Sequence, residues 1–280
     1  MIKKILVALD PDTDTAVATR YAVDVARRYE GQVTGLAVVD MGSIEASGRG
    51  GGIGSMYLME KVQKNLTEEA RAVARRLTEE FNAAMEDSGV EHDVHVEEGA
   101  PFQRIIEDMK YHDLLVVGKD PHFFYSHPEK KTKTLVRVVR DMISPTLVVP
   151  ATYRPVRKAL VAYDGSQAAA RALRRFIHLQ PFGTDVSVEI FNVHDEKQRE
   201  GAQLELRLAR EYMQVHGYEV TVTSELGGDP AEAIVAYAGR YDADVVVAGA
   251  HSVSRFTRLA FGSTTAALLE NSPVPLFLDH

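Results

Sequence analysis

Short apolar runs alternate along this chain with longer stretches in which apolar residues recur every three or four positions. Ile5-Leu6-Val7-Ala8-Leu9-Asp10 is the first such run, and an alanine-rich amphipathic stretch to Tyr29 follows it. Near the middle, Ala159-Leu160-Val161-Ala162-Tyr163-Asp164-Gly165-Ser166 is followed by a similar stretch to Leu179. Each pair reads as a buried strand, a polar turn and a helix. The pattern predicts strands over 3–9, 32–39, 92–97, 114–118 and 146–149, and again over 158–163, 186–193, 218–224, 244–249 and 274–278. Several are continuous β-branched runs, as parallel strands covered on both faces require. A helix near 58–86 carries Leu58, Val62, Leu66, Ala70, Val73, Leu77, Phe81 and Ala84 as its buried stripe. Its counterpart in the second half is expected to bury Leu204, Leu208, Tyr212 and Val215.

The order of these segments repeats. Gly99-Ala100-Pro101, Ile105-Ile106 and Asp113-Leu114-Leu115-Val116-Val117-Gly118 match Gly228-Asp229-Pro230, Ile234-Val235 and Asp244-Val245-Val246-Val247-Ala248-Gly249. Proline suits the first helical turn in both copies, and Asp229 can cap. Strand–helix alternation of this kind gives right-handed βαβ units and a doubly wound sheet. Two tandem five-stranded parallel-sheet domains of Rossmann-like α/β fold are therefore expected, over 1–150 and 155–280. The proline-flanked segment Pro150-Ala151-Thr152-Tyr153-Arg154-Pro155 links them.

Composition narrows the function classes. The 280 residues are 45% hydrophobic and 26% charged, with a formal net charge of −8, which gives no basic footprint for nucleic acid or an anionic membrane. There is no cysteine, so thiol catalysis, disulfides and thiolate metal sites are excluded. Asp10 interrupts the first apolar run before it reaches the length of a signal-peptide core, and no stretch approaches a membrane span. A cytoplasmic location is the expectation.

In an open parallel sheet, ligands bind beyond the carboxyl ends of the strands. In the second half Asp164, Val193 and Gly249 fall at such ends, and Gly262-Ser263-Thr264 opens a helix after the loop that holds His251, Arg255 and Arg258. The free N–H groups of a helix start favour an anion, so this triplet is a candidate phosphate cradle, with Arg255 or Arg258 folding over it. Each feature has a plainer reading: an N-cap for Gly262-Ser263-Thr264, a capped turn for Asp164-Gly165-Ser166, a solvated loop for His251 and the arginines. Their convergence on one strand edge favours a ligand.

Together these residues resemble the universal stress protein family, once per half. In its nucleotide-binding members the pattern after the fourth strand is Gly, two residues, Gly, nine residues, then Gly with Ser or Thr. The second half has Gly249, two residues, Ser252, nine residues, then Gly262-Ser263. The resemblance implies an adenine-nucleotide-hydrolase-like fold and binding of ATP or another adenine nucleotide, with or without Mg. Asp164 would contact the nucleoside, Ala162 and Val193 the adenine side, and Gly249, Ser252, Gly262, Ser263 and Thr264 the ribose and phosphates. It also implies that the last strands of the two halves pair, giving a pseudo-twofold dimer inside one chain, with a homodimer of whole chains as a further option. Ser252 departs from the pattern. A non-glycine residue at positive φ costs about 1–2 kcal/mol, roughly a tenfold loss of affinity if that conformation is required.

The first half departs further. Asp10 and Gly118 remain, but Thr134-Leu135 stand where Gly262-Ser263 do, and the loop before them is longer and holds Phe123, Phe124 and Tyr125. This half is expected to be degenerate as a nucleotide site, its aromatics covering the empty pocket or packing against the other half; an apolar ligand is the alternative. The Gly-rich segment 48–55 lacks a phosphate-loop ending, and the basic run 130–133 reads as a solvated helix start. Three function classes are consistent with these features: a nucleotide-binding regulator of the stress response, an interaction module that recognises protein partners without nucleotide, and a slow ATPase. The Ser-Gly-Gly-x-Asp-Ser and His-Ile-Gly-His motifs of ATP-using relatives are absent, which weighs against the third.

Overall fold

The structure is a computed structural model that describes residues 1–47, 56–119, 121–123, 125, 134–250 and 262–280. It divides into two compact units, Lys3–Val138 and Val139–His280, the second taking in Met1–Ile2. In the first unit the elements run β1 (Lys4–Leu9), α1 (Asp14–Tyr29), β2 (Gln32–Asp40), α2 (Met41–Ser47), α3 (Met56–Ser88), β3 (His92–Gly99), α4 (Pro101–Met109), β4 (Leu114–Gly118) and most of α5 (Thr134–Asp141). Its sheet has the parallel order β3-β2-β1-β4. Strand order reverses at β1, whose neighbours β2 and β4 lie on opposite sides.

The second unit repeats the scheme. Here β5 (Thr146–Val149) is followed by β6 (Lys158–Ala162), α6 (Gln167–Leu179), β7 (Ser187–His194), α7 (Arg199–Val215), β8 (Val220–Leu226), α8 (Pro230–Tyr241), β9 (Val245–Gly249), α9 (Ser263–Asn271) and β10 (Leu276–Asp279). The order is β5-β10-β9-β6-β7-β8, parallel except that β5 runs antiparallel to β10, with Leu147 opposite Phe277. The units divide at Val138/Val139, ahead of the linker, so β5 falls in the unit of its partner β10. Phe277 is wholly buried and meets Phe176 of α6 edge-on, at 5.6 Å between ring centres.

One aspartate in each unit clamps the start of its central strand. Asp113 Oδ2 accepts the N–H groups of Lys3 and Lys4 at 2.7 and 3.0 Å, and Asp244 Oδ2 accepts those of Arg157 and Lys158 at 2.9 and 3.0 Å. These are the aspartates that open the repeated apolar runs. The paired prolines sit in the first turns of α4 and α8, and Asp229 caps α8 through the N–H groups of Ala231 and Glu232.

Two of the expected buried stripes need correction. Helix α7 buries Ala202, Leu206, Ala209 and Met213, while Leu204, Leu208 and Val215 face solvent and Tyr212 is half-buried. The large apolar residues mislead because two of the four inward residues are alanines, whose small side chains let the helix lie close to β7 and β8. In α3 the inward residues are Ala70, Ala74, Leu77, Phe81 and Met85; Val62 and Ala84 are exposed. Among the described residues no helix is long and apolar enough to cross a membrane. Truncating Leu206 to Ala should cost about 2–4 kcal/mol in urea unfolding, whereas Leu208→Ala should stay within about 0.5 kcal/mol. Equal losses would contradict this assignment of the buried face.

Candidate functional site

The carboxyl ends of β6, β7 and β9 enclose a cleft of about 690 Å³ in the second unit. It lies at the point where strand order reverses around β6, the position at which parallel sheets open toward ligands. Seven of the eight residues singled out in the sequence come together there: Ala162, Asp164, Val193, Gly249, Gly262, Ser263 and Thr264. Ser252, with His251, Arg255 and Arg258, lies outside the described residues, as do Phe124, the Gly-rich segment 48–55 and the basic run 130–133.

Two helix starts converge on this cleft. At α6, Ser166 caps the helix by accepting the Ala169 N–H at 3.2 Å, and Asp164 accepts the Ser166 N–H at 2.9 Å. At α9 the cap position is Gly262, which has no side chain to offer, and the first bond back to it comes from Ala266 at 3.0 Å. The N–H groups of Ser263, Thr264 and Thr265 precede that bond and find no acceptor within the helix. They give the cleft an anion-favouring wall. The packing leaves no room at the end of β9. A Cβ on Gly249 would stand 2.5 Å from the Ala168 carbonyl carbon and 2.6 Å from the Ala169 nitrogen. That glycine is fixed by the approach of α6, whatever the cleft holds. Gly165 has φ +76°, and the Glu205 carboxylate of α7 occupies the space a side chain would need.

Further polar groups in the cleft wall were not anticipated from the sequence. Asn192 and His194 are nearly buried; Asn192 Nδ2 donates to the Tyr163 carbonyl at 2.7 Å, and its Oδ1 lies 3.2 Å from His194 Nδ1. Lys197 and Glu205 add one charge of each sign. The available signal was two polar residues, at 192 and 194, at the end of the otherwise apolar run Ile190-Phe191. On a parallel strand, polar side chains there belong to the strand end rather than the core.

The equivalent place in the first unit is filled. Phe123 and Tyr125 are 1% and 4% exposed, and Tyr125 Oη donates to the Leu9 carbonyl at 2.6 Å and accepts the Val38 N–H at 3.3 Å. Burial pushes the phenol pKa well up, so it remains a donor. His122 Nδ1 lies 2.9 Å from Asp12 Oδ2. Of the aromatics expected to cover the first pocket, Tyr125 reaches the ends of β1 and β2 and Phe123 is buried. Asp10, which corresponds to the exposed Asp164, is wholly buried. Its Oδ1 accepts the Asp12 N–H at 2.8 Å, and its Oδ2 is buried without a hydrogen-bond partner. Burial, reinforced by the charges of Asp12 and Asp14 and only partly offset by the Asp12 and His122 N–H groups, pushes its pKa up to about 7.

This carboxyl makes stability depend on pH. Its folded-state pKa lies above the 3.8 of an unperturbed aspartate, so an unfolding chain releases the proton as pH rises. The contribution is full below pH 3.8 and is gone once pH has passed about 7, a loss of about 4 kcal/mol across that window. Urea unfolding at pH 5 and pH 8 should show wild type losing most of this increment relative to Asp10→Asn. A difference between the two proteins that does not change with pH would contradict a buried, protonated Asp10.

Comparison with known proteins agrees with this architecture. The model of the Universal stress protein family matches residues 1–150 and again residues 155–279. Universal stress protein Slr1230 of Synechocystis is 26% identical across 98% of this chain and 99% of its own length. The crystal structure of a universal stress protein from Archaeoglobus fulgidus superposes with a TM-score of 0.72, at 20% identity, over 98% of this chain and 97% of that one. A Pseudomonas aeruginosa protein of unknown function gives a TM-score of 0.63 at 18% identity, over 99% of this chain and 92% of its own. With both halves matched and the same strand–helix order in each, the chain belongs to the universal stress protein family and carries its domain twice.

Proposed function

We propose that this chain is a nucleotide-responsive regulator of the stress response that binds one adenine nucleotide, ATP or another, in the cleft of the second domain. The observation that carries the reading is the cleft at the reversal of strand order, with the uncapped start of α9 on one side and Asp164 on the other. Its size suits a nucleotide, since small-molecule sites span about 300–1,000 Å³. The residues fit the parts of such a ligand. Ser263 and Thr264 supply hydroxyls and main-chain N–H groups for phosphate. Asp164, exposed and facing the cleft, accepts from ribose hydroxyls. Ala162 and Val193 bound the adenine side, Gly249 offers main chain at the end of β9 to the ribose and phosphates, and Ser252 follows in the loop beyond it. Mg would accompany the triphosphate and neutralise part of its charge. No bond-making step is required: a ligand bound more tightly by one conformation shifts the population toward it, and a protein partner reads the difference.

The first domain, 1–150, serves in this reading as a closed scaffold, and 155–280 as the ligand-binding half. Equilibrium dialysis with ATP tests the assignment. The double substitution Ser263→Ala, Thr264→Ala removes two hydroxyls that bond a charged group and should weaken binding about tenfold or more. Unchanged affinity in that variant would take the phosphates away from α9.

A further inference from the structure

The end of β1 in the first domain has a feature that loss of a nucleotide site does not by itself require. Strand β1 stops at Leu9, whose partner in register is Ala37, while β2 runs on to Asp40. In a parallel pair the next rung would join the Leu9 carbonyl to the Val38 N–H. The Tyr125 hydroxyl stands in that rung instead, donating to the first at 2.6 Å and accepting from the second at 3.3 Å.

The same rung in the second domain is built differently. Carrying the register one residue past the Ala162–Phe191 pair sets Tyr163 opposite Asn192 and gives Val193 the place of Val38. There the Tyr163 carbonyl takes its hydrogen bond from Asn192 Nδ2 at 2.7 Å, and Val193 lines the open cleft. Ala37 stands where Asn192 does and has no side chain that reaches the carbonyl. One strand end is thus satisfied by its own neighbour and leaves space beyond it. The other is satisfied by a ring inserted from a distant loop.

We propose that the first domain retains a ring-binding site at the splayed ends of β1 and β2, that Tyr125 fills it as an internal ligand, and that the emptied site takes a small neutral phenol. The chemistry of the site selects that class. The Leu9 carbonyl needs a donor and the Val38 N–H an acceptor, and one hydroxyl is both. Asp10 is wholly buried there and gains nothing from an anion beside it, and the carboxylates of Asp12 and Asp14 close by disfavour one. Helix α5 opens with Thr134-Leu135 rather than a glycine and two hydroxyls, so the described residues lack the counterpart of the Gly262-Ser263-Thr264 start of α9. The ring site is thereby distinct from a nucleotide site, and the inference stands whether or not the second domain binds ATP.

The test uses the full chain with Tyr125→Ala and p-cresol, whose ring and hydroxyl are those that the substitution removes. Wild type should give no binding heat and no thermal shift. The variant should melt lower, bind one p-cresol per chain, and regain about 3 °C at a concentration tenfold above Kd. A folded variant that does not bind p-cresol, or wild type that binds it equally well, overturns the proposal. Should Tyr125→Ala fail to fold, Tyr125→Phe keeps the ring and removes only the hydroxyl. Amide exchange at Val38 should then quicken roughly fivefold to tenfold over wild type. Unchanged exchange at Val38 would overturn the inserted rung.

Discussion

The fold depends on a constraint at one edge of each sheet. Where a parallel sheet reverses strand order, the chain leaves the central strand in one direction while its neighbours continue, and the main-chain groups beyond the last rung lose their partners. A buried N–H or carbonyl left unpaired costs about 1–3 kcal/mol, so each such edge must be closed by side chains, by the chain itself or by something bound. The two domains meet this demand in different ways. At β6 and β7 an asparagine from the neighbouring strand satisfies one carbonyl and leaves a cleft. At β1 and β2 a tyrosine enters the rung and fills the space.

The rest of each domain holds that edge in place and is nearly the same in both. Asp113 and Asp244 tie down the amino ends of β1 and β6 through paired main-chain N–H groups. Gly249 lets the first turn of α6 lie directly against the end of β9. Gly118 has the matching role, since a Cβ there would come within 2.5 Å of the Asp14 Cβ at the start of α1. With both ends fixed, the described residues of the two domains differ beyond the central strands: the glycine-capped start of α9 lines a cleft in one, and Tyr125 bonds the ends of β1 and β2 in the other. The aspartate that ends the central strand changes character accordingly: exposed and available as Asp164, buried as Asp10.

Much of the fold was legible because its signals are local. Continuous apolar runs of five or six residues marked the parallel strands, and the prolines at 101 and 230 marked helix starts. The two clamping aspartates marked the beginnings of the strands they precede. The face of α7 was not legible, because Leu204, Leu208 and Val215 outweigh two alanines in any reading by hydrophobicity, whereas packing distance favours the alanines. In the cleft, seven of the eight singled-out residues are brought together because their positions follow from strand ends and one helix start. Asn192 and His194 were missed: their significance depends on which rung they face, and that register exists only after pairing. Tyr125 was singled out as an aromatic, but its hydrogen bonds were not legible, because its hydroxyl acts on residues more than eighty positions away along the chain.

The central claim is that one domain is open to a ligand and the other is closed by its own side chains. Native mass spectrometry of the chain across an ATP titration tests it most directly, because it counts ligands per molecule. The account predicts one nucleotide per chain at saturation. Two would contradict the closure of the first domain, and none would contradict the reading of the second.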